Sequence, residues 1–453
     1  MSRLHRLGTL ALVTTVGAFA PALATAADTP AKPTYTKDIA PIFQEKCEAC
    51  HRPDSIAPMS LRTYEEARPW ARSIRARVES RQMPPWHIDK TVGIQSFKND
   101  RSLSDEQVAT VLTWIDSGAP KGDVKDMPAP KQWPNEQVWN FASMFGQTEP
   151  DLVIKSTPWT QKAGQNDAWW KPIVETGVSE PRWVRAIEIR PATVKGRKIT
   201  HHAIARLQQD DPDVQQNADQ DAGAVFANTG LFMEWAVGKQ GEIMRPNSGK
   251  LMLPGSKIIW DIHYSNGGED ITDIVELGVY FYPKGQEPKF KQTLHLMGAT
   301  NSGGIDIPPN TTKATQGFFV MRENGRVESF QPHMHLRGKA MSIEAITPDG
   351  RTQVLSYVGN FSFNWHNSYV YTDDVAPLLP KGTILKVTAW HDNTAANKAN
   401  PDPNVWVGYG DRTVDEMAHA WVNVTYMPDA DFKAELEARK AKAGAKTQQQ
   451  QQQ

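Results

Sequence analysis

The sequence predicts a multidomain chain in which a small all-α domain is followed by two antiparallel β-sandwich domains of jelly-roll type. Three observations lead there. At 453 residues the chain is too long for a single core. Between residues 34 and 123 apolar side chains recur at helical spacing. From about residue 136 the period changes to two, in many short runs separated by turns. The expected units are a signal peptide over 1–26, an all-α domain over 27–124, a linker over 125–135, β-sandwiches over 136–288 and 289–429, and a charged tail over 430–453.

The first unit rests on Arg3 and Arg6, the apolar stretch LGTLALVTTVGAF and the small residues Ala24-Thr25-Ala26, which together read as an export signal and place the mature chain in the periplasm. No later apolar run is long enough for a membrane span. A formal charge of −1 gives no basic excess, which excludes nucleic-acid binding. An exported chain of this size would ordinarily use disulfides, yet it has two cysteines, three positions apart, so they are committed to other chemistry.

In the helical region, Ile39, Ile42 and Phe43 lead into the cysteine pair. Ser104-Asp105-Glu106-Gln107 is a capping box opening a helix with Val108, Val111, Leu112 and Ile115 on one face, and Gly118 and Pro120 end it. KGDVKDMPAPKQWPNE, rich in proline and charge, is the linker. In KIIWDIHYS, Ile258, Trp260, Ile262 and Tyr264 share one strand face while Asp261, His263 and Ser265 share the other. Leu385, Val387, Ala389 and His391 alternate in the same way, as do Ala420, Val422 and Val424. The tail is a charged helix former running into polyglutamine, expected to fray.

Cys47-Glu48-Ala49-Cys50-His51 is a c-type haem attachment pattern: two thiols reach two vinyl groups of one porphyrin and the following histidine lies under the iron. No second cysteine pair completes a zinc site. For the sixth iron ligand, Met83 in Gln82-Met83-Pro84-Pro85 is favoured, as a thioether on a proline-stiffened loop, with Met59 and His87 as rivals. Helix, attachment motif, Met-Pro loop and C-terminal helix together resemble a class I cytochrome c, which implies one covalent haem c.

Nine of the twelve histidines lie in the β region. His333 and His335, at i and i+2 of PHMHLRG, present both rings to one side of a strand, whereas the neighbours His201 and His202 can serve one metal only if the backbone bends or bulges. Taken in order, THHAIARLQ, WDIHYSN, PHMHLRG and RTVDEMAHAW resemble the copper type II, ascorbate-dependent monooxygenases, over residues of about 150 to 429. The resemblance implies two coppers facing each other across an open cleft. One is an electron-transfer copper on His201, His202 and His263, and the other an O2-binding, catalytic copper on His333, His335 and Met417. Two imidazoles with a thioether suit Cu(I). His295, His366, His391 and His419 are left to structure or to support of the ligands.

The two motifs together imply a copper-dependent monooxygenase that hydroxylates a C–H bond of a small organic substrate with O2. Its electrons would come through the fused haem from a periplasmic donor. The alternatives are a non-catalytic haem and copper electron-transfer protein, or a metal-free interaction module. Imidazoles of ordinary basicity would release copper as the pH falls toward about 6.5 and below.

Overall fold

The computed structural model describes residues 32–53, 55–133, 138–211, 229–299 and 304–451; the predicted signal peptide and the end of the predicted linker lie outside these residues. Helices of seven residues or more are α1 (Ala40–Lys46), α2 (Ala71–Glu79), α3 (Asp105–Asp116) and α4 (Asp429–Gln451). Strands of five residues or more begin with β1 (Ile88–Gly93), β2 (Arg182–Pro191), β3 (Thr200–Gln208), β4 (Thr229–Ala236), β5 (Ser248–Met252), β6 (Lys257–Tyr264) and β7 (Val275–Phe281). They continue with β8 (Phe290–Ala299), β9 (Thr312–Val320), β10 (Gly325–His333), β11 (Gly338–Ile346), β12 (Thr352–Val358), β13 (Ile384–Asp392) and β14 (Ala418–Tyr426).

The capping box forms as read: Ser104 Oγ accepts from the Gln107 amide at 3.1 Å, and Gln107 Oε1 accepts from the Ser104 amide at 3.0 Å. Helix α3 then buries Val108, Val111 and Trp114 against Tyr35, Ile39 and Phe43. It stops at Gly118, whose φ of +95° is a conformation that side chains with a Cβ resist.

The predicted all-α first domain is not what forms. Strand β1 interrupts the helical region and pairs antiparallel with β12, Ile88 opposite Val358 and Gly93 opposite Ser356. It is the edge of a five-stranded sheet in the order β1-β12-β11-β13-β9. Trp86, Ile88 and Phe97 belong to the same core as Phe330, Ile343 and Val387, far along the chain. The segment is short, and its apolar residues fit either period, so helical spacing on both sides hid the strand.

The two predicted β-sandwiches are corrected as well. The chain is mostly strand, 38% against 17% helix, and its sheets are a curled half-barrel plus smaller sheets rather than two independent units. A fifteen-stranded sheet runs across the expected boundary at residue 288, in the order β7-β2-β5-β8-β4-β3-β6, with β14 and β10 continuing from the other edge of β8. Strand β8 is the joint. It pairs parallel with β5, touches β4 at the single register Leu294–Leu231, and pairs with β14 over its length. Period-two reading finds strands but not their partners, so a boundary placed between runs carries no information about which edges meet.

The tail is docked at its start. Arg326 reaches Glu435 at 2.6 Å, and Arg439 donates to the Ala376 carbonyl at 2.6 Å. No helix among the described residues is long and apolar enough to cross a membrane.

If residues 86–99 are part of the β core, Phe97→Ala removes a buried ring stacked beside Tyr369 and Tyr371 and should cost about 3–5 kcal/mol. Hydrogen exchange should rise first in β12 and β10. A rise confined to α1–α3 would return the segment to the helical region.

Candidate metal centre

Strands β3 and β6 set His202 directly opposite His263, but the next pair is Thr200 with Tyr264. His201 is therefore the extra residue of a bulge, the distortion by which adjacent side chains turn to one side. His201 Nδ1 and His202 Nδ1 are 3.2 Å apart, and the ligand atoms of His201, His202 and His263 all lie within 4.8 Å of one another. Two nitrogens each about 2.0 Å from one ion, at roughly 90–110°, are about 2.8–3.3 Å apart, so the first pair is already at ligand spacing. Trp169, the cross-strand neighbour of His263, stacks on it at 4.7 Å between centroids, and Phe363 stacks on His201 at the same distance. Neither ring nitrogen of His263 makes a hydrogen bond, although Asp167 Oδ2 lies 3.3 Å from Nε2. A buried imidazole whose Nδ1 has no partner and whose Nε2 meets only Asp167, beside two others at ligand spacing, fits a metal ion.

The second set is held by a buried carboxylate. Glu416 accepts from the His335 amide at 2.9 Å and the Arg337 amide at 2.6 Å, and its Oε2 lies 3.3 Å from His391 Nε2. Burial opposes ionisation of Glu416, but His391, His335 and the amide bond hold it below the ordinary carboxylate range. This clamp fixes the turn after β10. His335 Nδ1 is 3.1 Å from the Asp415 carbonyl; donating to it leaves Nε2 as the ligating atom. His333 faces His419 across β10 and β14, their rings 4.8 Å apart. Met417 is half-buried and its carbonyl accepts from His391 Nε2 at 3.1 Å.

The open cleft implied between the two sets is not found here. His202 and His333 have ring centroids 5.9 Å apart, and both rings are buried. Beside this pair lies His366, expected from the sequence to be structural: its Nδ1 is 3.1 Å from His333 Nδ1, and its ring lies 5.5 Å from His201. Nothing in FNWHNS marks it, since it has no partner at strand or helix spacing. Of the other histidines, His295 donates to or accepts from the Tyr426 hydroxyl at 2.8 Å, away from the cluster.

Burial favours the neutral form of several rings of the cluster, although the Asp167 carboxylate stands beside His263. Burial, reinforced by the neighbouring rings, pushes His201 down to about 4 and holds His202, His333 and His366 well below the ordinary histidine range. His419 is pushed to about 3, again first by burial. Neutral imidazole is the form that binds metal.

Cys47, Cys50 and His51 line a cavity of about 1350 Å³, together with Met59, Met83 and His87. Helix α1 ends at Cys47, and the turn that follows is closed by the His51 amide donating to the Cys47 carbonyl at 3.0 Å. His51 Nδ1 is 3.2 Å from the Met59 carbonyl, which leaves Nε2 to face an iron. Burial pushes the Cys47 thiol up to about 12, the opposite of what a redox-active dithiol needs. Met83 is brought to the cavity by the end of α2, its amide donating to the Arg77 carbonyl at 3.1 Å. The far wall is supplied by the β region, including Trp235, Phe361 and Trp365.

No family model matches the chain, and no curated protein is similar to it. Among solved structures, the VP2 subviral particle of infectious bursal disease virus overlaps 66% of this chain and 75% of its own, at 10% identity and a TM-score of 0.17. Allantoicase overlaps 56% and 84%, at 12% identity and 0.15. A Paenibacillus xanthan lyase overlaps 67% and 28%, at 8% identity and 0.16. At these TM-scores the overlaps carry no argument.

The buried rings make stability pH-dependent. An unfolded histidine takes up its proton near 6.5, whereas folded His201 resists until about 4. Between those values the unfolded chain binds more protons, so the metal-free protein should lose stability as the pH falls below about 6.5. Thermal melts in chelator should give a lower Tm at pH 5 than at pH 7.5; equal values would contradict the burial of the cluster.

Proposed function

We propose that the chain is an exported, copper-dependent monooxygenase that hydroxylates a C–H bond of an organic substrate, with electrons supplied through a c-type haem attached at Cys47 and Cys50. The observation that carries this reading is the convergence of two separate histidine pairs, His201/His202 and His333/His335, on one buried cluster whose flanking loop also walls the CEACH cavity. The reaction consumes R–H, O2, two electrons and two protons and yields R–OH and water. When bound, copper would supply one-electron storage and activation of O2.

The protein's own groups divide the work. His201, His202 and His263 would hold one ion, the bulge at His201 turning both neighbours to the same side. His333, His335 and Met417 would hold the other, with Glu416 fixing the His335 backbone and the Asp415 carbonyl fixing its ring. Trp169 and Phe363 cover the first set and keep water from it. On the haem side, His51 would be the proximal ligand, oriented by the Met59 carbonyl. Because that carbonyl lies on the side of His51 turned away from an iron, Met59 is the weakest of the three sixth-ligand candidates, and Met83 remains the favoured one.

One observation favours a second reading, a haem and copper electron-transfer protein without a substrate. His333 and His366 are each only 2% exposed, so the cluster offers no open face to an organic molecule in this conformation. Substrate-dependent O2 consumption by the haem-reduced, copper-loaded chain separates the two.

The enzyme reading requires one iron and two coppers per chain by elemental analysis. With the haem pre-reduced, Met417→Ile should slow haem reoxidation by O2 at least about tenfold, as expected for losing a metal-supporting group. Reoxidation at the parent's rate would remove Met417 from the route.

Copper should also survive more acid than free imidazoles allow. Because burial holds the rings neutral down to about 4 at His201, copper should be retained at pH 5.5 and lost only near pH 4. Release near pH 6.5, measured by equilibrium dialysis, would mean that the ligands are solvent-exposed ones.

A further inference from the structure

His366 occupies the junction of the two histidine sets, and no spacing motif accounts for it. Its Nδ1 is 3.1 Å from His333 Nδ1, within the spacing of about 2.8–3.3 Å that two ligands of one ion adopt. The ring is 4.6 Å from His333, 5.5 Å from His201 and 6.5 Å from His202 between centroids. It is buried, and its Nε2 has no hydrogen-bond partner. Among the described residues, the only polar contact of the His366 ring is thus its Nδ1 facing His333 Nδ1, the arrangement two ligands of one ion would share.

The backbone that carries His366 is also fixed as a ligand's support should be. Asn367 Nδ2 donates to the Pro85 carbonyl at 2.9 Å, and Tyr369 accepts from the His87 amide through its hydroxyl at 3.3 Å. Phe361 and Phe363 lie against the ring at 5.9 and 5.7 Å. With the Phe361 amide donating to the Lys339 carbonyl at 2.9 Å on the other side, the side chain is held from both ends of its loop and by apolar walls, its polar contact being His333.

We propose that His366 is a metal ligand, sharing with His333 the ion bound beside the His201/His202/His263 set. The assignment rests on the copper reading above and adds to it a residue outside the four motifs. It also places the two ions in one cluster, with His366 at the boundary and Phe363 between His201 and His335 as the apolar divider.

The test uses the full haem-containing chain loaded with Cu(II) and then freed of loose metal. Copper per chain is measured by elemental analysis, and imidazole ligands per copper by X-ray absorption, for the parent, His366→Gln and His419→Gln. The expected result is two coppers in the parent, loss or at least about tenfold weaker binding of one in His366→Gln with a lower imidazole count, and two coppers in His419→Gln. Two coppers with the parent's affinity and imidazole count in His366→Gln overturn the assignment while leaving the copper reading intact. Loss of the same copper in His419→Gln overturns it too, because His419 stacks on His333 without standing at ligand distance from it and such a loss would report packing. A parent that takes up no copper overturns the copper reading itself, and this assignment with it.

Discussion

Strand β8 is the constraint on which the histidine cluster depends. His202 stands at the level of Ala236, and Leu231 of the same strand meets Leu294 of β8, whereas His333 and His419 stand at the level of Gly298. Because β4 and β8 run antiparallel, those two levels are about nine residues apart along the ladder, roughly 30 Å in a flat sheet. The rings of His202 and His333 are in fact 5.9 Å apart. The sheet must therefore fold back on itself where β4 and β8 touch at one register, and Leu231, Leu294 and Trp421 fill that fold. Gln331 donates to Glu234 at 2.5 Å across the two halves, and Lys239 lies between Glu234 and Glu242 at 3.5 and 2.8 Å. Glu234 and Gln331 are fully buried, and Glu242 has a second partner in Lys250 at 3.0 Å, so the halves are tied by a network and not by one pair. Such a network tolerates one mutual placement of the halves.

How much of this was legible varies from residue to residue. The alternation in β6 identified its core face without error: Ile258, Trp260, Ile262 and Tyr264 are all fully buried. On β14 alternation is no guide to burial: Trp421, Asn423 and Thr425, which alternate with Ala420, Val422 and Val424, are as buried as they are. Their face is covered by the other half of the molecule, and a polar or aromatic side chain in a period-two run does not announce which distant strand will cover it. The bulge at His201 was legible as a condition, because two adjacent histidines on a strand can serve one metal only where the backbone bends or bulges. His366 was not, because its meaning lies wholly in a contact between residues 33 positions apart.

The chemistry of the cluster follows from dryness. An imidazole exposed to water is protonated half the time near pH 6.5, but rings that exclude water and crowd one another pay heavily for a charge. Crowding that would destabilise protonated rings costs little when they are neutral and becomes favourable when an ion supplies the positive charge at a common point. A site of this kind binds metal through pre-placed ligands whose positions are set by the sheet, with little left to order on binding. The same dryness explains why the clamp at Glu416 acts through backbone amides: it fixes His335 without placing a carboxylate among the rings themselves.

The position of the loop over 359–368 bears on how the two motifs communicate. Phe361 and Trp365 line the cavity of Cys47, Cys50 and His51, while His366, the next residue, points its Nδ1 at His333. None of His201, His202 and His263 lines that cavity. Two residues after Met83, the Pro85 carbonyl is tied to Asn367, and Trp86 packs edge-on to Tyr369 at 4.7 Å. The Met-Pro segment and the His366 loop are thus one mechanical unit, held by a buried hydrogen bond and an aromatic pair. A haem seated in that cavity would lie near both sets: Trp365 is one peptide from His366, and Val237, which also lines the cavity, donates its amide to the His201 carbonyl at 3.4 Å.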